Sequence, residues 1–436
     1  MSDLTIEPIV KPFTGAITLP GSKSLTNRAL VLAVLADGIC DLSNILFADD
    51  THHMLENLGK LGFKLEIDHE AKSVHVHGLG GKIPSHHAEL FCGNSGTTIR
   101  FLTALCTLGK GQFTLDGIAR MRQRPIAALT GLLKNLGARV SHSPEAEGFP
   151  PVQVDADGLG GGIVRYGSEA SSQFLSAVLM VAPYARHEVR IDLEPHQTSW
   201  PYIAMTMQLM DHFGITPELI RDPKTHEPKQ IIVPRGKYKA TSYIVEPDAS
   251  NASYFLAAAA INPGSKMTVE GLGKSSLQGD VGFADVLHRM GAEMIFGKDF
   301  ITIKGPEKLE GIDVNLETMP DTVQTLAVAC AFAKGPTTIH GIHTLRVKET
   351  DRVAALSNEL QKLGAKVDVD KNALTITPPD KIKSASIETY DDHRMAMSFA
   401  IAGTRVSGIT IKDVECVNKT YPTFFDDLRR LIETGR

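Results

Sequence analysis

The chain has 436 residues, a formal net charge of −5, 42% hydrophobic residues and 22% charged residues. That balance describes an ordinary globular protein of about two domains and argues against a general nucleic-acid or membrane surface. The five cysteines, Cys40, Cys92, Cys106, Cys330 and Cys416, form no CxxC pair, so they are expected as reduced thiols and not as disulfides or zinc ligands. The opening MSDLTIEPIV has no basic region and no long apolar run, and no stretch approaches the ~18 apolar residues of a membrane span. A cytoplasmic protein is expected.

In chain order, the first marked element is the phrase 21–28, which follows a Pro20-Gly21 break and opens an apolar helix over 29–35. A helix start carries unpaired N–H groups and partial positive charge. Lys23 and Arg28 add cations to that positive end, an arrangement that an anion such as phosphate would complete. A serine-capped helix with two solvated basic residues is the plainer alternative at this point.

The same pattern then recurs. Helical stretches end in Leu61-Gly62, Leu136-Gly137, Phe213-Gly214, Met290-Gly291 and Leu363-Gly364, glycines spaced by about 75 residues where a left-handed helix stop is expected. Each precedes an alternating strand. At the same period a polar phrase precedes an Ala/Leu-rich helix, at Ser22, Asn94-Ser95, Ser171-Ser172, Asp248, Pro320-Asp321 and Asp391-Asp392. The sequence therefore reads as six units, each with two helices and about four strands. Three units per domain, α/β in class, would bring equivalent helix starts together around an internal helical core. Two such domains facing one another would make an anion-binding cleft.

Candidate functional residues collect at the helix starts. Lys23, Arg124, Lys348, Arg352, Arg394 and Lys419 all lie there, where cations are electrostatically misplaced unless an anion is bound. Asp321 follows Pro320 in an otherwise uncharged phrase and reads either as a cap worth ~1 kcal/mol or as a working carboxylate. Glu349 lies between Lys348 and Arg352, either as a weak surface ion pair or as a held acid. Residues 271–275 resemble a P-loop end without its first glycine, and 158–162 a dinucleotide fingerprint without its last. His75 and His77, and the pairs His52-His53 and His86-His87, lack an accompanying ligand pattern, so no metal site is expected. No basic-aromatic stripe of the kind that stacks nucleobases is present.

The phrases GSKSLTNRAL, GNSGTTIRFL, RQRPI, ASSQFLSAVLM, EPDASNASYF, PDTVQTLAV, RVKETDR, DDHRMAM and NKTYP resemble, in order and over essentially the whole chain, the motif set of the 5-enolpyruvylshikimate-3-phosphate synthase family. The resemblance implies two domains of three βαβαββ repeats each, the inside-out α/β barrel of enolpyruvyl transferases. It places one domain at 22–241, the other at 1–21 plus 242–436, and the active site in the cleft between them. It implies transfer of the enolpyruvyl group of phosphoenolpyruvate to shikimate 3-phosphate by a monomer, with no cofactor, metal, nucleic acid or membrane partner. Lys23, Gly96, Arg124, Gln173, Arg352, Arg394 and Lys419 would bind phosphoenolpyruvate. Lys23, Ser24, Arg28, Ser171, Ser172, Gln173, Ser199, Thr344 and Lys348 would hold shikimate 3-phosphate, with Asp321 on its ring hydroxyls. Asp321 would be the base, and Glu349 or Lys348 would protonate the methylene carbon. Thr97, Phe101 and Thr344 depart from common family residues.

Two other readings are set against this one. The sister enolpyruvyl transferase acting on UDP-N-acetylglucosamine normally has a reactive cysteine in the loop corresponding to 117–124, and this loop has none. A non-catalytic anion-binding repeat protein would bind without turnover and would leave Asp321 and Glu349 without a purpose.

Overall fold

A computed structural model describes residues 2–167 and 169–435. It divides into two compact units, Gly21–Val245 and Met1–Pro20 with Glu246–Arg436.

In Gly21–Val245 the helices are α1 (Lys23–Leu35), α2 (Asp49–Lys60), α3 (Gly96–Cys106), α4 (Ala127–Asn135), α5 (Gln173–Val181) and α6 (Trp200–His212). Its sheets share one plan. His87–Phe91 runs parallel to Lys110–Asp116, which pairs antiparallel with Val152–Asp157, and that strand pairs antiparallel with Arg139–His142. Followed along the chain, this is a βαβαββ repeat. Gly162–Tyr166, Val189–Leu193, Pro228–Val233 and Glu218–Arg221 repeat it. The first repeat takes its leading strand from the far end of the unit, where Ser242–Ile244 lies parallel to Asp37–Ser43. The compact unit that contains this pairing runs to Val245.

The second unit contains α7 (Ala249–Ile261), α8 (Phe283–Arg289), α9 (Val323–Cys330), α10 (Arg352–Lys362), α11 (His393–Gly403) and α12 (Phe424–Thr434). Thr14–Thr18, Lys266–Glu270, Phe300–Lys304 and Glu293–Phe296 form its first sheet. Asp313–Asn315, Thr337–His340, Ala373–Thr377 and Lys366–Val369 form its second. In the sixth repeat Ala385–Ile387 is parallel to Ile409–Ile411, and Leu4–Ile6 adds antiparallel to the latter.

These elements follow from local chemistry. Gly62, Gly137, Gly214, Gly291 and Gly364 all have φ between 86° and 102°, the left-handed stop that only glycine adopts freely. Strands such as Val152–Asp157 alternate buried and exposed residues, so each sheet has one covered face. Helices α3, α7, α9 and α11 are buried at every residue, as expected of helices that are apolar all round. The later helix of each repeat is amphipathic. Helix α12, for example, buries Phe424, Leu428, Leu431 and Ile432 and exposes Asp426, Arg429, Arg430 and Glu433. Helices α7, α9 and α11 pack mutually. Hydroxyls tie them at the centre, with Ser253 Oγ 2.9 Å from Thr325 Oγ1, itself 3.4 Å from Ser398 Oγ.

Candidate active site

In Gly21–Val245 the structure gathers the helix starts by direct contact. Ser22 caps α1, accepting from Leu25 N at 3.5 Å, and Lys23, the first helical residue, places Nζ 3.3 Å from the buried Asp50 Oδ2 at the start of α2. The Asp50 carbonyl accepts from Thr98 Oγ1 at 3.0 Å, and Asn27 Nδ2 donates to Thr97 Oγ1 at 3.0 Å, so α1, α2 and α3 begin side by side. Gly96 opens α3 beneath Arg124: a Cβ there would lie 2.7 Å from Arg124 Nη2. Glycine is needed at that point because any side chain would push the guanidinium away. Arg124 Nη1 donates to Asn94 O at 2.8 Å and Asn94 Oδ1 at 3.0 Å.

Arg100, not singled out from the sequence, joins this group to the 171–173 phrase. Its Nη1 donates to Gln173 Oε1 at 2.7 Å, its Nη2 to Pro125 O at 3.1 Å, and its guanidinium stacks 4.8 Å from the Phe174 ring. The visible signal was a lone cation inside an apolar helix. Ser171 and Ser172 are buried, Ser171 Oγ accepts from Gln173 N at 3.3 Å, and the Ser171 carbonyl is held by Tyr166 Oη at 3.0 Å.

Arg28 lies one turn below Lys23 and is fully buried. It donates to Thr206 Oγ1 at 2.7 Å, Ser24 O at 2.9 Å, Ser176 Oγ at 3.2 Å and Tyr202 O at 3.5 Å. Burial lowers its pKa to about 10, and the Phe101 ring lies 5.1 Å beneath its guanidinium. Two of the three residues read as departures from the family pattern thus have structural partners here, Thr97 with Asn27 and Phe101 with Arg28. Through Tyr202 and Thr206, Arg28 reaches α6, whose N-cap Ser199 is buried in the left-handed region at φ 53°, ψ 43°. A non-glycine residue held there costs energy and persists only where its surroundings hold it.

The other unit builds a second cluster. Asp321 precedes α9 and gives both carboxylate oxygens to guanidiniums: Oδ1 lies 3.3 Å from Arg352 Nη1 and Oδ2 2.8 Å from Arg394 Nη2. Arg352, the first residue of α10, also donates from Nε to Asp392 Oδ2 at 2.7 Å and lies 2.8 Å from Glu349 Oε2. Burial, the largest single influence, pulls the Arg352 pKa down. The carboxylates of Asp392, Glu349 and Asp321 together more than offset it and hold the group above its ordinary value. Arg394 donates to Tyr254 Oη at 3.2 Å, and its backbone N to Asp392 Oδ1 at 2.9 Å. Burial, the main influence, raises the Tyr254 hydroxyl to about 12.

Asp321, Glu349, Arg352 and Arg394 are therefore one network, buried except at the half-buried Asp321, and the surface-ion-pair reading of Glu349 does not hold, since it is 8% exposed. Asp392 and Tyr254 complete the network. Asp392 was visible in the sequence only as a helix cap, which it also is. Lys348 precedes Glu349 and is half-buried. Lys419 is buried at the end of the turn Val414–Lys419, which packs on α11. Thr344 is buried, and its Oγ1 has no hydrogen-bond partner among the described residues. His75 and His77 are placed elsewhere, with His75 Nδ1 2.5 Å from Asp41 Oδ1 and His77 Nε2 3.0 Å from Glu66 Oε1.

Comparison with solved structures defines the fold first. The enolpyruvyl transferase NikO from Streptomyces tendae superposes with TM-score 0.77 at 18% identity, covering 98% of this chain and 97% of that one, a likeness of fold alone. EPSP synthase from Acinetobacter baumannii gives TM-score 0.80 at 28% identity, covering 99% and 98%. Among curated sequences, the 3-phosphoshikimate 1-carboxyvinyltransferases of Sulfurovum sp. (strain NBC37-1) and Shewanella baltica (strain OS185) are 44% and 45% identical, over 99% of this chain and 99% and 100% of theirs. The family model for EPSP synthase (3-phosphoshikimate 1-carboxyvinyltransferase) matches residues 8–428, and the chain belongs to that family.

Proposed function

We propose that this protein transfers the enolpyruvyl group of phosphoenolpyruvate to the 5-hydroxyl of shikimate 3-phosphate and releases phosphate. The observation that carries the reading is the pair of buried guanidiniums, Arg352 and Arg394, closed on a single carboxylate, Asp321. Two convergent arginines are the natural receptor for a substrate carboxylate, and Asp321 occupies that receptor in the protein itself.

Arrival of the phosphoenolpyruvate carboxylate at Arg352 and Arg394 would displace Asp321 and free it to take the proton of the 5-hydroxyl. The hydroxyl oxygen then bonds to C2 while C3 of phosphoenolpyruvate gains a proton, giving a tetrahedral adduct. Loss of phosphate from C2 and of a proton from the new methyl group restores the double bond. Lys348 or Glu349 moves these protons. Glu349, held 2.8 Å from Arg352, would remove the methyl proton, with Lys348 as the donor of the first step. Lys23, Gly96, Arg124, Gln173 and Lys419 bind the phosphate side of phosphoenolpyruvate. Ser24, Arg28, Ser171, Ser172, Ser199 and Thr344 hold shikimate 3-phosphate, Arg28 by exchanging its longest bond, to Tyr202. Fixing two anions in register and clamping the departing phosphate supply most of the acceleration. Both substrates are small and polar, which fits work in the cytoplasm. Among the described residues no helix is long and apolar enough to cross a membrane.

Phosphate release from purified protein given shikimate 3-phosphate and phosphoenolpyruvate tests the reading. Release only with UDP-N-acetylglucosamine as acceptor would overturn it. Within it, Asp321→Ala is expected to lose turnover by about two to four orders of magnitude, with phosphoenolpyruvate bound no more weakly than by the parent protein. Turnover near normal would return Asp321 to the status of an arginine counter-ion.

A further inference from the structure

The network of Arg352, Asp392 and Arg394 hangs from a turn that its own residues disfavour. Tyr390 and Asp391 are both left-handed, with φ 57° and 53°, a region that residues with a Cβ avoid. They directly precede Asp392, the N-cap of α11 and the acid that Arg352 grips. Two successive residues of this kind persist only where the surroundings hold them.

The hold comes from α10. Glu359 is completely buried and lies two helical turns after Arg352, hence on the same face. Its Oε1 accepts from Tyr390 Oη at 2.7 Å. Its Oε2 accepts from Glu388 N at 3.1 Å and from Lys362 Nζ at 2.7 Å. Lys362 also donates to Ser386 O at 3.2 Å. One helix thus grips one segment twice, with Glu359 before the left-handed turn and Arg352 after it.

We propose that Glu359 is a positioning residue for enolpyruvyl transfer: its carboxylate locks the turn at Tyr390 and Asp391 and so sets Asp392 and Arg394 at the spacing that receives a substrate carboxylate. This rests on the assignment of Arg352 and Arg394 to the phosphoenolpyruvate carboxylate. The side chain must be an acid, because both of its oxygens accept. An amide of the same shape offers one acceptor oxygen and sets N–H groups against the remaining donors.

The test measures kcat, the KM of each substrate and the unfolding temperature for Glu359→Gln, Tyr390→Phe, Arg352→Lys and the double variant Glu359→Gln/Asp391→Gly. Glu359→Gln is expected to raise the KM for phosphoenolpyruvate about tenfold, the scale of a slightly misplaced binding group, and to change that for shikimate 3-phosphate much less. Tyr390→Phe keeps the ring and shifts the same ratio by less, so it answers the question if Glu359→Gln does not fold. Asp391→Gly recovers part of the loss, since glycine needs no support at positive φ. An unchanged KM for phosphoenolpyruvate, an equal rise for both substrates, or no recovery in the double variant overturns the proposal. If Arg352→Lys raises the KM for phosphoenolpyruvate and Glu359→Gln does not, the positioning role alone fails. If neither raises it, the carboxylate assignment fails and the proposal with it.

Discussion

At the scale of single residues, Ser199 shows how strain and function can be separated. It caps α6 in the left-handed region, where alanine keeps the strain and glycine removes it. Ser199→Ala and Ser199→Gly both delete the hydroxyl. Chemical unfolding should therefore find the glycine variant more stable than the alanine variant by about 1 kcal/mol, while both raise the KM for shikimate 3-phosphate to a similar degree. Equal stabilities would mean that the turn is not strained. The cations at helix starts were legible in the sequence because each breaks a simple electrostatic rule. Their buried counter-ions, Asp50 and Asp392, were not, because an acid at a helix start looks like a cap. Arg100 was marked only as a lone cation inside an apolar helix, a weaker signal than a cation at a helix start.

Among the elements, what depends on neighbours in sequence could be read directly, and what depends on distant pairing could not. The glycine stops and the polar caps are local; the structure uses the caps Ser22, Ser95, Asp248 and Asp392, whereas Ser172 makes no side-chain cap bond and Asp321 does not stand at an N-cap. The placing of Ser242–Ile244 beside Asp37–Ser43, and of Leu4 opposite Ile411, is set by tertiary packing alone. Gly403 makes the second case physical. It lies in α11, where alanine is the better helix former by about 1 kcal/mol, yet a Cβ there would come 2.4 Å from Ile6 Cβ. Ile6 is buried, so the strand rather than the side chain must yield. Gly403→Ala is expected to lower stability by about 1–3 kcal/mol despite its better propensity, and amide exchange should show the loss concentrated at Leu4–Ile6. A stabilised variant would show that the strand moves aside at no cost.

For the molecule as a whole, buried hydroxyls set the alkaline limit. Burial raises Tyr254 and Tyr184 to about 12 and Tyr421 further still. Below the ordinary tyrosine value of about 10, the proton is bound in both folded and unfolded states and the stabilisation is complete. Above it the unfolded chain releases the proton and the folded one keeps it, so stability falls as pH rises through about 12. For Tyr254 alone the loss is on the order of 3 kcal/mol. Thermal unfolding followed from pH 8 to 12 should show the midpoint dropping only above about pH 10, and Tyr254→Phe should blunt the drop. The interrupted unit carries a different consequence, for biosynthesis. Leu4–Ile6 leaves the ribosome well before the rest of its sheet, since its partner Ile409–Ile411 is made some four hundred residues later. In the interval residues 21–245 are complete and can mature as a nascent domain, while the first strand stays an unpaired edge, exposed to other chains. Translation thus orders the assembly: the inserted unit can fold during synthesis, and the unit that encloses it closes only once residues 409–411 have emerged.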